Sequence, residues 1–315
     1  MDAVAVGGEV RGRYAPSPTG RLHLGNARTA LLAWLDCRRA GGRFVMRIED
    51  VDPVRSRPDL EVRLLEDLRW LGLDWDEGPD VGGPFGPYRQ SERGERYQDA
   101  IDRLDTYPCS CSRRELREAV SAADGEEPRY VGTCRGGPTH PERPLAIRWR
   151  TPPGVVTVED RLLGRWGQDV REEVGDFLLR RRDGAWAYQL AVVVDDAAMG
   201  ITDVVRGADL WTSTPRQVLL LRALGAAAPR YAHVPLIVGE DGQKLSKRHG
   251  APDLSALREG GAAPERVVAA LARSVGLCGP GVGALRPVDL VADFDLGRIR
   301  SVSFDPRELA DAGGA

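Results

Sequence analysis

Only two of the 44 basic residues in this 315-residue chain are lysines, Lys244 and Lys247, and the rest are arginine. Where arginine is the default cation, two ammonium groups in Lys244-Leu245-Ser246-Lys247-Arg248 mark a place that requires a compact, flexible point charge rather than a planar fork. Glu240-Asp241-Gly242-Gln243 just ahead reads as a flexible turn. On such a loop the pair can close over ATP and neutralise charge that grows on the α-phosphate under nucleophilic attack. The competing reading is a coincidence on a solvated loop. A carboxylate suits the role of nucleophile, because it is already ionised near neutral pH and needs little acid–base help. Far upstream stands His23-Leu24-Gly25-Asn26, at a strand-to-helix junction. There a glycine lets a phosphate approach the backbone, the first N–H groups of a helix attract an anion, and a histidine can donate to a phosphate oxygen. His23 can equally serve as nothing more than a helix-start residue. A third group is Cys109-x-Cys111 followed by Tyr130 and Cys134. Three thiolates and a phenol can close a four-coordinate zinc site, with water or His140 as alternatives for the fourth place and inert buried thiols as the plain reading.

The elements that must position these residues follow from the apolar pattern. Val10 to Ala15 reads as a short strand that stops at Pro16-Ser17-Pro18-Thr19-Gly20. Leu31, Leu32 and Leu35 recur at helical spacing up to the Gly41-Gly42 stop, and Phe44, Met46 and Ile48 alternate with Val45, Arg47 and Glu49 in a second strand. Pro58 opens a helix carrying Leu60, Leu64, Leu65, Leu68 and Leu71. Strand, helix, strand, helix is the opening of a parallel α/β sheet. Between Tyr97 and Tyr188 the pattern loosens around glycine, proline and the cysteines, which predicts an inserted module. The continuous apolar run Leu190-Ala191-Val192-Val193-Val194 predicts a strand covered on both faces. Thr214 with Pro215 predicts a helix ending at Gly225, Pro235-Leu236-Ile237-Val238 a further short strand, and the region after Asp253 two helices.

Longer motifs surround the two catalytic signals. Taken together, His23-Leu24-Gly25-Asn26 and Lys244-Leu245-Ser246-Lys247-Arg248 resemble the HIGH and KMSKS signatures of class I aminoacyl-tRNA synthetases. The glutamyl branch in particular is resembled by Arg13-Tyr14-Ala15-Pro16-Ser17-Pro18-Thr19-Gly20, by Arg47-Ile48-Glu49-Asp50-Val51-Asp52 and by Leu73-Asp74-Trp75-Asp76-Glu77-Gly78. Val194-Asp195-Asp196-Ala197-Ala198-Met199-Gly200-Ile201-Thr202 adds a fourth match. The resemblance covers residues 10 to about 250, with the motifs in order. It implies a Rossmann-like, HUP-type parallel-sheet α/β domain, with its first half over 8–96 and its second half over 189–252. Between them lies an inserted zinc-containing α+β module over 97–188, and a short helical extension over 253–315 follows.

The same resemblance implies roles at matching positions. Arg13 and Arg206 would face the carboxylates of glutamate, for which a guanidinium fork is the natural partner. Glu49 would receive the α-amino group, and Tyr14, Ala15, Ser17 and Tyr188 would shape the pocket. His23, Gly25, Asn26 and Lys247 would hold ATP, supplied with Mg2+, while Lys244, Lys247 and His23 would be catalytic. One structural Zn2+ would sit on Cys109, Cys111, Tyr130 and Cys134. Asp50, Asp52, Asp195 and Asp196 are expected to order loops rather than touch substrate.

About 65 residues follow Arg248, too few for the anticodon-reading region of full-length glutamyl enzymes, and Arg206-Gly207-Ala208-Asp209-Leu210 departs from their usual Gly-Glu-Asp-His. With the Cys/Cys/Tyr/Cys set, these features resemble the glutamyl-Q tRNA(Asp) synthetases. That subfamily forms glutamyl-adenylate without tRNA, then esterifies glutamate onto the cyclopentene diol of queuosine in the anticodon of tRNA(Asp). Rival expectations are a shortened glutamyl enzyme that charges a tRNA 3′ end and a non-catalytic RNA-binding paralogue. Trp166, Trp186 and Trp211 are candidates to stack on loop bases, against core packing as the competing role. A net charge of -3 excludes coating of nucleic acid by charge alone and leaves local basic patches open. No run of eighteen apolar residues and no secretory leader pattern is present, so a cytoplasmic protein with no membrane contact is expected, and a monomer. Cys37 and Cys278 are expected to pack as small apolar residues.

Overall fold

The computed structural model describes residues 9–120, 129–237 and 252–300. Strand β1 (Arg11–Tyr14) leads through the proline turn into α1 (Leu24–Arg39) and back through β2 (Arg43–Met46), which lies parallel to β1. The stop of α1 is a glycine-closed cap. Gly41 takes φ +66°, its N–H reaches the Arg38 carbonyl at 3.0 Å, and the Gly42 N–H reaches the Cys37 carbonyl at 3.0 Å. Where β1 crosses α1, a Cβ on Gly12 would lie 2.9 Å from the Cys37 Cβ, so the absence of a side chain lets strand and helix close. Cys37 packs there as expected, buried with its thiol against the Arg43 carbonyl, and burial pushes its pKa up to about 11.

Next come α2 (Pro58–Trp70), α3 (Gly94–Asp102), β3 (Thr106–Cys109), α4 (Arg113–Val120), β4 (Ala146–Trp149), β5 (Val155–Asp160) and β6 (Gly164–Asp169). They are followed by α5 (Val170–Glu173), β7 (Leu178–Arg180), α6 (Tyr188–Ala198), β8 (Asp203–Gly207), α7 (Thr214–Ala223) and β9 (Arg230–Val234). Helices α8 (Leu254–Glu259), α9 (Pro264–Arg273) and α10 (Pro287–Val291) close the described chain. The main sheet has the order β2-β1-β8-β9-β5-β6, with every neighbouring pair parallel except the β5/β6 hairpin. Its strands alternate between two cores. Phe44, Met46, Val205 and Ala232 face one side with α1 and α9, whereas Val45, Val204 and Tyr231 face the other with α6 and α7. The fold is thus a doubly covered, Rossmann-like α/β sheet. None of the described helices is long and apolar enough to cross a membrane.

Three expectations change. The apolar run at residues 190–194 is the centre of helix α6, not a strand. The helix packs against α3, α7 and β7 and is buried on nearly every side, which removes the polar face that would have announced a helical period. The strand expected at Pro235-Leu236-Ile237-Val238 lies one step earlier, as β9. It ends where the proline, lacking an N–H, would have had to join the ladder, and residue 238 lies outside the described residues. Finally, residues 97–188 divide between two sheets. β3, β4 and β7 form a separate antiparallel sheet, whereas β5 and β6 extend the main sheet beside β9. Beyond residue 253, α8 packs on α2 and α9 on α1, so the helical extension completes the core.

Candidate active site

The sheet reverses its winding at β1, which has β2 on one side and β8 on the other, and a crevice opens outside the carboxyl ends of these strands. A cavity of about 340 Å³ occupies it. Arg13, Tyr14, Ala15 and Ser17 enter from the end of β1, Glu49 from beyond β2, Tyr188 from the start of α6, and Arg206 from β8. His23, Gly25 and Asn26 line the same cavity from the start of α1. Every glutamate-pocket position inferred from the sequence therefore meets the histidine-glycine turn in one space.

Its charges are held by buried networks. Arg47, fully buried, donates to Glu49 at 3.0 Å and to Asp196 at 2.7 Å, and Arg13 reaches the same Asp196 oxygen at 3.4 Å. Burial works against the charge on Asp196, but Arg47 and Arg13 outweigh it and hold the carboxyl below its usual range. At Glu49 burial wins over the same two arginines and the pKa is raised. Arg206 is 4% exposed. Its Nε donates to His233 Nε2 and its Nη2 to Thr214 Oγ1, each at 2.9 Å, while its buried Nη1 has no hydrogen-bond partner among the described residues. A buried guanidinium nitrogen without an acceptor, on a residue that lines a cavity, has hydrogen-bonding capacity left for an anion.

His23 is the N-cap of α1, and its Nδ1 accepts the Asn26 N–H at 3.3 Å. With Nδ1 accepting, the ring proton sits on Nε2, the tautomer able to donate to a phosphate. The helix-start reading and the ligand reading of His23 are therefore compatible. Tyr14 sends its ring into the core and its hydroxyl to the Asn26 carbonyl at 3.1 Å, bracing the same turn. Lys244 and Lys247 lie outside the described residues. The chain on either side of them is anchored at the cavity, for Pro235, Leu236 and Ile237 line it and Asp253 pairs with His23 across an antiparallel bridge. Arg28, buried in α1, donates to the Pro235 carbonyl and to Ser274 Oγ at 3.3 Å, fixing the first of those anchors.

A second cavity of about 680 Å³ shares Ser17, Thr19, Glu49 and Tyr188 with the first and is walled by Arg55, Arg117, Arg148, Arg181 and Arg216. Trp186 lines it and packs edge-on against Tyr97, with centroids 5.5 Å apart. Trp166 and Trp211 pack on each other at 5.1 Å. Of the aspartates expected to order loops, Asp50 accepts the Ser91 N–H and hydroxyl. Asp52 binds Arg181, and buried Asp195 holds Arg93, Gln90 and Tyr97.

On the small sheet, the Sγ atoms of Cys109, Cys111 and Cys134 lie within 4.8 Å of one another, and Cys111 and Cys134 are 3.6 Å apart. Tetrahedral zinc with sulfur at about 2.3 Å needs sulfurs roughly 3.8 Å apart, so this donor set fits a soft four-coordinate ion. Tyr130 Oη lies 3.5 Å from Cys109 Sγ and accepts the Cys134 N–H at 2.8 Å. The His140 ring instead faces Glu142 at 3.4 Å and is 43% exposed. Burial and its neighbouring thiols push Cys111 up to about 12. Burial acts in the same sense on Cys134, but hydrogen bonds from Thr139, Ser110 and Cys111 outweigh it and bring the thiol down to about 6. Sequence reasoning missed Arg148, whose guanidinium lies 3.7 Å over the Tyr130 ring and donates to Cys109 Sγ at 3.2 Å. It also missed Arg28, Asp160 and His233, since partners 73 and 207 positions apart leave no local pattern.

A parallel sheet with a charged cavity at its switch point and a histidine-capped helix beside it defines a nucleotide-binding α/β enzyme domain. Residues 9–278 match the family described as tRNA synthetases class I (E and Q), catalytic domain, and the chain belongs to that family, making it a ligase of the aminoacyl-tRNA synthetase type. Among its relatives, the glutamyl-Q tRNA(Asp) synthetase of Symbiobacterium thermophilum is 52% identical over 304 residues, covering 91% of this chain and 93% of that protein. Glutamate–tRNA ligase 2 of Nitrosococcus oceani is 47% identical, covering 94% of this chain and 66% of that protein. The crystal structure of a glutamate–tRNA synthetase from Elizabethkingia anophelis superposes with a TM-score of 0.83 at 30% identity, over 96% of this chain and 69% of that one.

Proposed function

We propose that this chain activates L-glutamate with ATP in the absence of tRNA and transfers it to the cyclopentene diol of queuosine in the anticodon of tRNA(Asp). The observation that carries the first half is charge complementarity. The cavity is lined by three buried guanidinium groups, of which Arg28 is committed to the Pro235 carbonyl and Ser274; the other two, Arg13 and Arg206, with the buried carboxyl of Glu49, match the two carboxylates and one ammonium of glutamate. The α-carboxylate oxygen attacks the α-phosphorus of ATP. A carboxylate–phosphorus bond forms, the bond to the bridging oxygen of the β-phosphate breaks, and pyrophosphate leaves. His23 and the first N–H groups of α1 receive the triphosphate, delivered with Mg2+, and Lys247 with Lys244 takes up the growing charge. A nucleoside hydroxyl then attacks the mixed-anhydride carbonyl, forming an ester and releasing AMP.

The acceptor approaches through the second cavity, whose arginine wall suits phosphates and whose shared edge with the first includes Glu49 and Tyr188. Splayed loop bases can enter such a space, whereas stem bases cannot. The high identity to glutamyl-Q tRNA(Asp) synthetases over nearly their whole length supports the anticodon nucleoside as acceptor rather than a 3′ end. Cys109, Cys111 and Cys134, with Tyr130, would hold one Zn2+, which when bound ties β3 to the 130–134 loop. Incubating purified tRNA(Asp), with and without queuosine, with labelled glutamate and ATP tests the reading. After nuclease digestion the label belongs in the anticodon fragment of the queuosine-containing tRNA alone; label on the terminal adenosine would assign the chain to 3′-end charging.

A further inference from the structure

The geometry points to Asp160 and His233 as positioning residues that fix the guanidinium of Arg206 through a single tautomer of the His233 ring. The inference rests on the proposed role of Arg206 in holding glutamate. The three side chains come from β5, β9 and β8 and are all buried. His233 Nδ1 lies 2.6 Å from Asp160 Oδ2, and Arg206 Nε lies 2.9 Å from His233 Nε2. A guanidinium can only donate, so Nε2 must carry a lone pair and the ring proton must sit on Nδ1, facing Asp160. Burial and the Arg206 charge keep the ring neutral against the pull of Asp160.

Asp160 is itself held in one orientation. Its Oδ1 accepts the N–H groups of Leu162 and Leu163 at 2.9 Å and of His233 at 3.2 Å, leaving Oδ2 alone to meet the ring. With Nε and Nη2 committed to His233 and Thr214, the nitrogen of Arg206 that lacks a partner among the described residues is the buried Nη1, on a residue that lines the cavity. The chain therefore uses a residue from the edge hairpin of the sheet to aim a substrate-binding cation two strands away. In the comparable arrangement of serine proteases, a carboxylate sets a histidine tautomer, and its amide analogue installs the wrong one.

Asp160→Asn makes the same substitution here. The amide must keep its oxygen toward the three N–H groups, so its NH2 faces His233 Nδ1 and drives the ring proton to Nε2, against the Arg206 Nε–H. Glutamate-dependent pyrophosphate exchange by D160N is expected to show a glutamate KM raised about 10- to 100-fold, with the KM for ATP unchanged. His233→Gln preserves an acceptor at the Nε2 position and should retain near wild-type KM, whereas His233→Asn preserves only the donor toward Asp160 and should behave like D160N. This pair decides the matter where D160N folds poorly. Nitrogen-15 NMR of the His233 ring reads the tautomer whatever the reaction proves to be, with Nδ1–H expected in the wild type. A wild-type ring protonated on Nε2, equal damage from H233Q and H233N, or an unchanged glutamate KM in D160N would overturn the inference. Wild-type enzyme without any glutamate-dependent exchange would instead overturn the proposed function, with the NMR result still standing on its own.

Discussion

Glu49 and Arg47 show how charged groups are held inside a protein. Arg47 sits with no solvent exposure among Glu49, Asp195 and Asp196, so each desolvated ion has a partner at hydrogen-bond distance or close to it. Removing one member would strand the others, at a cost of about 3–5 kcal/mol, which is why Arg47 is structural although it never faces the cavity. Glu49, which lines the cavity, is the exception, since burial raises its pKa despite two arginines. A carboxyl with a raised pKa loses its charge at a higher pH than an ordinary one, and an ammonium held by it would lose its partner. If Glu49 receives that ammonium, the glutamate KM should climb as pH falls, beginning above the ordinary carboxylate range. Glu49→Gln should both raise KM and flatten that profile. A wild-type KM that begins to climb only within the ordinary carboxylate range would show that Glu49 does not receive the ammonium.

At the scale of elements, the site is built from strand ends and helix starts around one reversal of winding, and much of this can be read from local chemistry. The proline turn, the histidine start of α1 and its glycine stop are all short-range signals, and so is Pro58 at the head of α2. Helix α6 was hidden for a physical reason. Its Asp195 and Asp196 are buried by arginines from elsewhere in the chain, so neither the apolar run nor the acids following it mark a face. The aiming of Arg206 was hidden likewise, because Asp160 lies in a segment whose composition suggested a separate module. For the small sheet, a metal tie between the end of β3 and the 130–134 loop predicts that chelation lowers thermal stability and exposes the backbone amides of β3, β4 and β7 first. Hydrogen exchange with and without chelator measures this, and unchanged protection in all three strands would count against the metal.

Across the whole molecule, two cavities meet at Ser17, Thr19, Glu49 and Tyr188, one lined by Arg13, Arg206 and Glu49 beside the start of α1, the other walled by arginine. The net charge of -3 conceals this division, since five arginines line the second cavity. Of the described residues that flank the chain's two lysines in sequence, Ile237 lines the first cavity and Asp253 pairs with His23, which also lines it. The central claim is that glutamate and ATP react in that cavity before any RNA arrives. Pyrophosphate exchange without tRNA tests it most directly. The account predicts exchange that depends on glutamate, and in Lys247→Ala a rate lower by about 100- to 1000-fold with little change in glutamate affinity. Exchange that requires added tRNA, or a folded K247A enzyme exchanging at the wild-type rate, would contradict it.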